Sequence, residues 1–391
     1  ENPTSQLLLT ISDMSSRAVL MYSALAALLL LAGQSTAFVQ LSQSVTKGSV
    51  SVPASDARRC SISPLDASAG TSGGAAEDAP RVLCHGEILF DCIAKPEAAG
   101  WELDRVVTHQ AWTPYPGGAP ANVACALSKL GVSASFVGAI GGDKQGDELL
   151  QVLESAGVGT ELVSKIDGYP TRTVMVTRDM AGDRTFAGFG NGIPSDSFAD
   201  CHQRLSAAKD SAMQLLRPGS WLVQGTLGLA YPGSFESHVC LAEWAKEAGA
   251  VRFLDINWRP VFWELAAGEA GSKDDCEKLA RERITAFSET ADVIKLTDEE
   301  AEWLFGVARD VALQDPSCLA EFFPAAKAIL LTAGEKGASY HVGGQTGFVP
   351  CFQSVNIVET TGAGDAFSAG FIAEALKLLL SSKTEKGAGA G

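Results

Sequence analysis

The residues best suited to chemistry lie in one short segment, TTGAGDAFS, at positions 360–368. It follows a strand-like run at residues 353–358 and precedes a helix-like run at residues 366–380. The start of a helix exposes backbone N–H groups, and the helix dipole adds partial positive charge there, so this turn predicts a phosphate site. Asp365 would repel an anion unless it serves as a base beside a phosphate that is being transferred.

The chain around this turn alternates between strand-like and helix-like runs. Strand-like apolar runs lie at residues 81–86, 134–140, 173–177, 221–224, 252–256, 292–295, 328–332 and 338–341. Runs with helical spacing lie at residues 122–130, 147–156, 235–248, 274–288, 298–305 and 316–323. The alternation predicts an α/β fold with a mainly parallel sheet and helices on both faces. In such sheets, ligands bind outside the carboxyl ends of the strands.

Two regions break this alternation. Residues 101–115 are polar and aromatic without a helical period, and residues 171–189 alternate like an antiparallel strand pair around residues 181–183. We expect them to form a small β lid, from about residues 100–116 and 171–190, that covers a site; surface decoration is the alternative.

Composition excludes several classes of protein. The net charge is −16, which leaves no basic surface to neutralise a nucleic-acid backbone, so direct nucleic-acid binding is not expected. The nine cysteines are scattered without a C-x-x-C pair, and there are only five histidines. We interpret the cysteines as reduced thiols of the core, and we expect neither a zinc site nor a disulfide framework.

The N-terminal part has the features of a targeting sequence. After Met14, an apolar run at residues 18–32 is followed by small residues at 35–37, as in a signal peptide. The run is shorter than the ~20 residues of a membrane span, so a membrane anchor is the weaker alternative. Residues 38–80, rich in Ser, Ala and Gly, cannot bury enough surface to fold. We expect a leader and signal peptide at 1–37, a disordered transit-like segment at 38–80 and one folded domain at 81–391.

Two motifs in a fixed order identify a family resemblance. GGAPANVA at residues 117–124, followed far downstream by TTGAGDAF at 360–367, resembles the ribokinase/PfkB family of carbohydrate kinases, and within it most closely the fructokinases. Further stretches in family order are GEILFD at 86–91, DINWRP at 255–260, KLTDEE at 295–300 and LTAGEKG at 331–337. The resemblance covers about residues 81–380 and implies a ribokinase-like three-layer α/β/α sandwich with a small β lid.

At the catalytic turn, the resemblance implies a role for each matched residue. Asp365 would be the general base that accepts the proton of the sugar hydroxyl attacking the γ-phosphate of ATP. The backbone N–H groups of Gly362, Ala363 and Gly364 would form the anion hole. The structural alternative for Asp365 is a helix N-cap, a role that is compatible with catalysis.

The remaining implied site residues divide between the sugar and the nucleotide. Carboxylates and amides hydrogen-bond sugar hydroxyls, and arginine pairs with phosphate oxygens. The residues expected to bind the sugar are Asp91, Gly117, Gly118, Asn122 and, in the lid, Arg172. The residues expected on the nucleotide side are Asn257, Arg259, Thr332, Gly334, Gly337 and Thr361. The alternatives are ordinary ones: turn glycines, a solvated loop acid or a surface arginine.

Three features depart from the family pattern. Glu300 matches the glutamate of an Asn-x-x-Glu motif and is expected to contact Mg²⁺ indirectly, through water, but Thr297 replaces the asparagine. Glu359 replaces an aspartate that contributes to a monovalent-cation site in some members, so a potassium requirement stays open. Because the family has further helices after the catalytic one, we expect the chain, which ends at Gly391, to be truncated at its C-terminus.

The resemblance favours an ATP- and Mg²⁺-dependent kinase that converts fructose to fructose 6-phosphate. The alternatives are a kinase for ribose, 2-keto-3-deoxygluconate or a nucleoside, and a non-catalytic fructokinase-like subunit of the plastid transcription machinery. A homodimer through the lid is an expected partner arrangement. The presequence resembles the bipartite plastid type of algae with secondary plastids, with secretion as the alternative location.

Overall fold

The structure, a computed structural model, describes residues 81–180, 184–205, 208–266, 272–351 and 361–388. Residues 1–80, which include the predicted targeting segments, lie outside this part of the chain, as do the predicted strand at 353–358, Glu359 and Thr360.

The described elements alternate in type along most of the chain. The strands are β1 Val82–His85, β2 Leu89–Ala94, β3 Trp112–Gly117, β4 Ala134–Gly141, β5 Gly159–Ile166, β6 Thr173–Arg178, β7 Arg184–Phe189, β8 Trp221–Gln224, β9 Val251–Asp255, β10 Val293–Thr297, β11 Ala328–Thr332, β12 Gly337–Val342 and β13 Gln345–Pro350. The α-helices are α1 Leu103–Thr108, α2 Ala119–Lys129, α3 Lys144–Ser155, α4 Lys209–Leu215, α5 Pro232–Glu247, α6 Pro260–Ala266, α7 Lys273–Ser288, α8 Asp298–Phe305, α9 Arg309–Gln314 and α10 Ala363–Ala388.

A nine-stranded sheet forms the centre of the molecule, in the order β13-β12-β11-β10-β9-β8-β1-β4-β5. Neighbouring strands from β11 to β5 pair in parallel, and β12 and β13 add an antiparallel edge. The carboxyl ends of β9, β10 and β11 therefore lie side by side, along the side of the sheet where the parallel strands end. This is the edge at which a ligand site is expected in an open α/β sheet.

Both faces of the sheet are buried under helices, because successive residues of a strand point to opposite sides. In β1, Val82 and Cys84 pack in the cluster that includes α2, α3 and α10, whereas Leu83 packs with α4 and α5. Helices α6, α7, α8 and α9 cover the second face farther along, against Leu254 and Ile294. The predicted three-layer α/β/α architecture is confirmed.

A second, four-stranded sheet has the order β3-β2-β6-β7. Its β6 and β7 match the predicted antiparallel pair, and β3 lies in the other predicted lid region. One expectation was wrong here: Leu103–Thr108 is helical, because that short segment buries Val106 against Ala94 and Ala98. Asp91 lies within β2, a strand of the lid that the sequence pattern did not reveal, so the alternative of a solvated loop acid does not hold.

Other differences concern element type and edges. The helix predicted at 316–323 is a 3₁₀ helix, Pro316–Phe322, and α9 precedes it. Strands β5 and β13 were not predicted because each lies at an edge of the large sheet, where most of its residues are partly or fully exposed and lack a continuous apolar run.

The composition-based expectations can be compared with the described residues. The cysteines in this part of the chain are free thiols, and most of them are buried. No helix of the described part is both long and apolar enough to cross a bilayer. Within the same residues, no cluster of three or more His, Cys, Asp or Glu side chains is arranged to hold a metal ion.

One buried ion pair joins the lid to the body. Arg172, directly before β6, donates from Nε and Nη2 to the two carboxylate oxygens of Asp200, at 2.7 and 3.0 Å. Asp200 belongs to the 3₁₀ helix Ala199–His202. The Arg172 side chain is fully buried, and the rings of Phe189, Phe198, Tyr231 and Phe262 surround its guanidinium. Arg172 thus tethers β6 to the body, and its guanidinium is not open to solvent as a lid-surface residue would be.

Arg172→Met is expected to lower the free energy of unfolding by about 3–5 kcal/mol, because it leaves Asp200 as an unpaired, largely buried charge. Urea unfolding measures this change. The matched control is Lys209→Met, which removes a cation from the exposed pair with Glu247 and should cost no more than about 1 kcal/mol. Equal small losses in both variants would contradict the tethering role of Arg172.

Candidate functional site

The described part of the motif, TGAGD at residues 361–365, forms the start of α10, as the motif predicts. Gly362 has φ +77°, a left-handed conformation that favours glycine, and its carbonyl accepts the N–H of Ala366 at 2.9 Å. Helix α10 begins at Ala363, which places Asp365 in its first turn. The first N–H groups of a helix have no carbonyl partner within the helix, so Gly362, Ala363 and Gly364 have the backbone geometry of an anion-binding turn.

Asp365 meets a side chain from the other motif. Asn122 in α2 donates from Nδ2 to Oδ2 of Asp365 at 2.8 Å, across 243 residues of sequence. The two glycine-rich motifs are therefore joined directly, because α2 and α10 pack side by side on one face of the sheet. Asn122 was expected to contact the sugar; in the structure its amide nitrogen bonds to the carboxylate of Asp365, and contact of its amide oxygen with the sugar stays a prediction.

The environment keeps Asp365 a carboxylate of unusually high basicity. Burial raises its pKa to about 6, the hydrogen bond from Asn122 lowers it, and Asp255 raises it again. The cations Lys295 and Arg259 both act to lower the pKa. A carboxylate with this pKa is ionised at neutral pH and is a better proton acceptor than an exposed aspartate.

The Gly117–Gly118 turn is dictated by close approach. A Cβ on Gly117 would lie 2.5 Å from Oδ2 of Asp91, whose strand β2 pairs with β3 in the lid. Gly118 has φ +104°, and a Cβ there would lie 2.4 Å from the carbonyl oxygen of Glu87. Glycine is required at Gly118, where the obstacle is backbone, whereas a side chain at Gly117 would displace the carboxylate of Asp91, which is half-buried.

A buried ion pair lies behind the anion-binding turn. Lys295 in β10 donates from Nζ to Oδ1 of Asp255 in β9 at 3.0 Å, and both side chains are almost fully buried. A Cβ on Gly364 would lie 3.1 Å from the same Nζ, so the ammonium group packs against the turn itself. Burial lowers the pKa of Lys295, but Asp255, Glu300 and Asp365 outweigh it and the pKa is raised, so Lys295 is charged.

Sequence reasoning assigned no role to Asp255 or Lys295. Each is a charged residue with apolar neighbours on both sides in the sequence, and the two form the residue pair Asp255↔Lys295 of the parallel β9–β10 register. Lysine and aspartate are almost never fully buried unless they are paired. A charged residue in a strand whose neighbours are apolar is the signal that could have singled them out.

Glu300 has a structural role at the start of α8. Its Oε1 accepts the N–H of Trp258 at 2.6 Å, and its Oε2 accepts the N–H of Thr297 at 2.8 Å. The hydroxyl of Thr297 in turn accepts the N–H of Glu300, which completes a capping box. Thr297 therefore fills the motif's asparagine position as an N-cap. The carboxylate retains lone pairs for a water molecule, and contact with magnesium through water stays a prediction.

The residues expected on the nucleotide side follow the strands β9, β10 and β11. Asn257 comes just after β9 and has φ +41°, and Arg259 is exposed, with Nη1 donating to the carbonyl of Trp258 at 3.0 Å. Thr332 ends β11 and pairs in register with Thr297 at the end of β10.

The other three nucleotide-side candidates lie on turns. Gly334 begins the exposed 3₁₀ turn Gly334–Lys336 and has φ +52°. Gly337 begins β12, and a Cβ there would lie 2.2 Å from the carbonyl oxygen of Val349, so its glycine is required by packing of the β12–β13 hairpin. Thr361 is exposed and directly precedes the anion-binding turn.

The site combines three groups that can act on a phosphate. These are the N–H groups at the start of α10, the Asp365 carboxylate with its raised pKa, and the buried Lys295 ammonium behind the turn. A half-buried carboxylate, Asp91, lies against the glycine turn that leads to Asn122. Phosphoryl transfer to a hydroxyl requires positioning, charge stabilisation and one proton acceptor, which this set provides. Of the residues predicted from sequence, Arg172 alone is committed to a fully buried ion pair.

Comparison with known proteins agrees with the chemistry of this site. A family model described as "pfkB family carbohydrate kinase" matches residues 79–386. Among curated proteins, the chain is 32% identical over 314 residues to probable fructokinase-6, chloroplastic, of Arabidopsis thaliana, covering 80% of this chain and 75% of that protein. It is 34% identical over 299 residues to fructokinase-2 of Oryza sativa subsp. japonica, covering 76% and 80%.

Solved structures show the same fold. The fructokinase of Xylella fastidiosa with bound ATP aligns with a TM-score of 0.61 at 26% identity, covering 76% of this chain and 81% of that one. The fructokinase of Vibrio cholerae O395, with fructose, ADP and calcium bound, aligns with a TM-score of 0.58 at 26% identity, covering 76% and 84%. The two glycine motifs, their meeting at Asp365 and these similarities lead to one conclusion: this chain belongs to the pfkB family of carbohydrate kinases and is a phosphotransferase that acts on a sugar hydroxyl.

Proposed function

We propose that this sugar kinase transfers the γ-phosphoryl group of ATP to the 6-hydroxyl of fructose, with fructose 6-phosphate and ADP as products. The observation that carries the proposal is the contact between Asn122 and Asp365, which places one ionised carboxylate beside the anion-binding turn. The relatives and structures reported above are described as fructokinases, two of them with ATP or with fructose and ADP bound, which supports ATP and fructose as the substrates.

In this proposal, Asp365 accepts the proton of the attacking hydroxyl as its oxygen bonds to the γ-phosphorus. The bond between that phosphorus and the bridging oxygen breaks, and ADP leaves with the electron pair. The N–H groups of Gly362, Ala363 and Gly364 stabilise the charge on the transferring group. Lys295, packed against Gly364, adds a fixed positive charge behind them.

Sugar positioning is assigned to residues of the lid and the glycine turn. Asp91 accepts sugar hydroxyls, and the backbone of Gly117 and Gly118 approaches the ring closely because neither glycine has a Cβ. Asn122 orients Asp365 through its amide nitrogen, which leaves its amide oxygen as an acceptor for the sugar. The lid closes over the sugar and excludes water from the transferring phosphoryl group.

The nucleotide is assigned to the edge formed by β9, β10 and β11. Arg259, exposed and within electrostatic reach of Asp365, would pair with phosphate oxygens. Asn257, Thr332, Gly334, Gly337 and Thr361 complete the proposed nucleotide set. Gly334 and Gly337 would let the adenosine lie close to the backbone.

Magnesium is the proposed divalent ion, consistent with the calcium in the Vibrio cholerae structure. Mg²⁺ keeps several waters and is bound mainly by substrate phosphates, so it does not require a cluster of protein carboxylates. Glu300 would contact one of these waters, and the ion would neutralise charge on the phosphates. A monovalent-cation requirement stays open, because Glu359 lies outside the described residues.

We further propose that the domain at residues 81–391 acts in a plastid, after removal of the leader, signal and transit-like segments. The chloroplastic relative from Arabidopsis thaliana supports this location. A homodimer through the lid is proposed as well, and sedimentation analysis tests it. No observation favours the non-catalytic alternative, and the presence of Asp365 in the first turn of α10 supports a working kinase.

An ADP-release assay against fructose, ribose, 2-keto-3-deoxygluconate and nucleosides tests the proposed function. Fructose is expected to give the highest kcat/KM, and Asp365→Asn is expected to reduce kcat by about 10²–10⁴-fold while ATP binding is retained. The matched control is Asp310→Asn, which removes an exposed acid from the first turn of α9 and should leave kcat unchanged. Preference for another sugar would refute the fructose assignment; full activity in Asp365→Asn would remove Asp365 from the mechanism.

The pH dependence of kcat/KM is expected to report the ionisation of Asp365. Its pKa of about 6 means that kcat/KM should be constant above about pH 7 and fall as pH drops through 6, because the protonated acid cannot accept the hydroxyl proton. Asn122→Ala removes a hydrogen bond that lowers this pKa, so the acid limb of the profile, the fall in kcat/KM at low pH, should move to higher pH. A limb that moves down, or stays in place, would contradict the assignment.

The Lys295–Asp255 pair can be tested by removing one or both charges. Lys295→Met should lower the free energy of unfolding by about 3–5 kcal/mol, since it leaves Asp255 buried and unpaired. The double variant Lys295→Met/Asp255→Asn should recover most of that stability in urea unfolding. Its kcat should nonetheless stay about 100-fold below that of the unaltered protein, because the cation behind the anion hole is still missing. Recovery of both stability and kcat would make the pair purely structural.

A further inference from the structure

Glu87 is a buried carboxylate in the segment between β1 and β2, and the proposed mechanism does not use it. Its side chain is 7% exposed, and its Oε1 accepts the N–H of Ala119, the first residue of α2, at 3.1 Å. Gly118, which precedes α2, has no side chain to cap the helix. Glu87 therefore supplies from a distant segment the carboxylate cap that the first turn of α2 lacks.

The backbone of Glu87 constrains the same turn. Its carbonyl oxygen occupies the space that a Cβ on Gly118 would need, so the chain at Glu87 and the Gly117–Gly118 turn are in direct contact. The N–H of Asn122 bonds to the carbonyl of Gly118 at 2.9 Å. Asn122 thus lies one helical turn after Ala119, so a displacement of Ala119 would also displace Asn122.

We propose that Glu87 is a positioning residue: by capping α2 at Ala119 it holds Asn122 at hydrogen-bonding distance from Asp365 and so sets the orientation and basicity of the base. The inference rests on the proposed function, in which Asp365 accepts the hydroxyl proton. The chain of contacts runs from the Glu87 carboxylate through the first turn of α2 to the Asn122 amide and the Asp365 carboxylate.

Burial of the Glu87 carboxylate is energetically unfavourable, which is consistent with a specific role for this side chain. Its Oε2 is buried without a hydrogen-bond partner in the protein, and an unpaired buried polar atom is unfavourable. Burial raises the pKa of Glu87 to about 7, and the negative charges of Asp200 and Asp365 act in the same direction.

A small cavity adjoins Glu87 on the side of α5. It is lined by polar groups from the body, namely His85, Asp200, Gln203, Tyr231, Ser234 and His238. Both histidines are buried, and burial lowers their pKa values, to about 4 for His238, so neither supplies a positive charge to Glu87 near neutral pH. Arg172 is committed to Asp200 by two hydrogen bonds. The Glu87 carboxylate is therefore positioned by backbone N–H groups, its own and that of Ala119, and the second of these links it to α2.

Two substitutions separate the capping oxygen from the charge. Glu87→Gln keeps an oxygen that can accept the Ala119 N–H, whereas Glu87→Ala removes the acceptor. Glu87→Ala is expected to reduce kcat by about 10- to 100-fold, because a small misplacement of a catalytic group is enough for such a loss. Glu87→Gln is expected to retain kcat within about 3-fold, and the KM for sugar should change less than kcat in both.

The decisive readout is the ionisation of Asp365. Glu87→Ala and Glu87→Gln both remove a negative charge that repels Asp365, but only Glu87→Ala should also lose the Asn122 hydrogen bond, which lowers the pKa of Asp365. The acid limb of kcat/KM should therefore lie at higher pH in Glu87→Ala than in Glu87→Gln. The double variant Glu87→Ala/Asn122→Ala should shift the limb no further than Asn122→Ala alone, because both changes break one contact. A general loss of stability would not produce this non-additive pattern.

A matched control comes from another helix cap. Asp143 accepts the N–H of Gly146 at the start of α3 at 2.8 Å, and Asp143→Asn should lower the Tm without moving the acid limb. Where Glu87→Ala does not fold, Glu87→Asp, which shortens the side chain and draws the carboxylate away from Ala119, is expected to move the limb in the same direction. A limb at the same pH in Glu87→Ala as in Glu87→Gln, and unchanged in Glu87→Asp, with kcat lost only in proportion to the folded fraction, would overturn the proposal.

Failure of the proposed function would be seen separately. Titration of the Asp365 carboxyl carbon by NMR measures its pKa without turnover. A protein that phosphorylates no sugar but shows the Asp365 titration shifting in Glu87→Ala would refute the proposed function and support the link between Glu87 and Asp365. An enzyme that phosphorylates sugar, but in which Glu87→Ala leaves the Asp365 titration unchanged, would support the proposed function and refute the link between Glu87 and Asp365.

Discussion

In the proposed mechanism, the start of α10 has to hold two negative charges close together, the carboxylate of Asp365 and an arriving phosphate. The helix dipole and the N–H groups of Gly362–Gly364 favour an anion there, and each anion disfavours the other. The structure meets this constraint with positive or hydrogen-bonding groups on either side. Asn122 approaches Asp365 from α2, and Lys295 approaches Gly364 from β10. The arrangement of the site depends on these two approaches.

The contacts of Asn122 with Asp365 and of Lys295 with Gly364 require chain segments to lie close together, which glycine allows because it has no side chain. Gly364 leaves room for the Lys295 ammonium, and Gly118 leaves room for the carbonyl of Glu87. Charged groups can be buried here because each has a partner. Lys295 is paired with Asp255, and Glu300 accepts hydrogen bonds from two backbone N–H groups. Buried charges without such partners would be strongly destabilising, so the site and the stability of the sheet edge are linked.

The lid is attached to the body by a different kind of contact. Arg172, anchored to Asp200 inside a group of aromatic rings, fixes one end of β6, while β2 carries Asp91 against the glycine turn. The ion pair at Arg172 and the close approach of Asp91 to Gly117 thus hold the four-stranded sheet against the body at two places. Glu87, between β1 and β2, lies where the two sheets and the start of α2 meet.

The amino-acid sequence by itself determined the α/β class, the parallel core, the antiparallel pair of the lid and the glycine turn beside Asp365, because these features follow from short-range periodicity and local turn chemistry. It did not reveal β2, β5 or the short helix α1, whose patterns are weak where segments are brief or lie at an edge. Only the tertiary structure decided that Asn122 bonds to Asp365, that Lys295 pairs with Asp255 and that Arg172 is buried on Asp200. These contacts join residues 28 to 243 positions apart, and the order of strands and the packing of helices, which no local pattern encodes, bring them together.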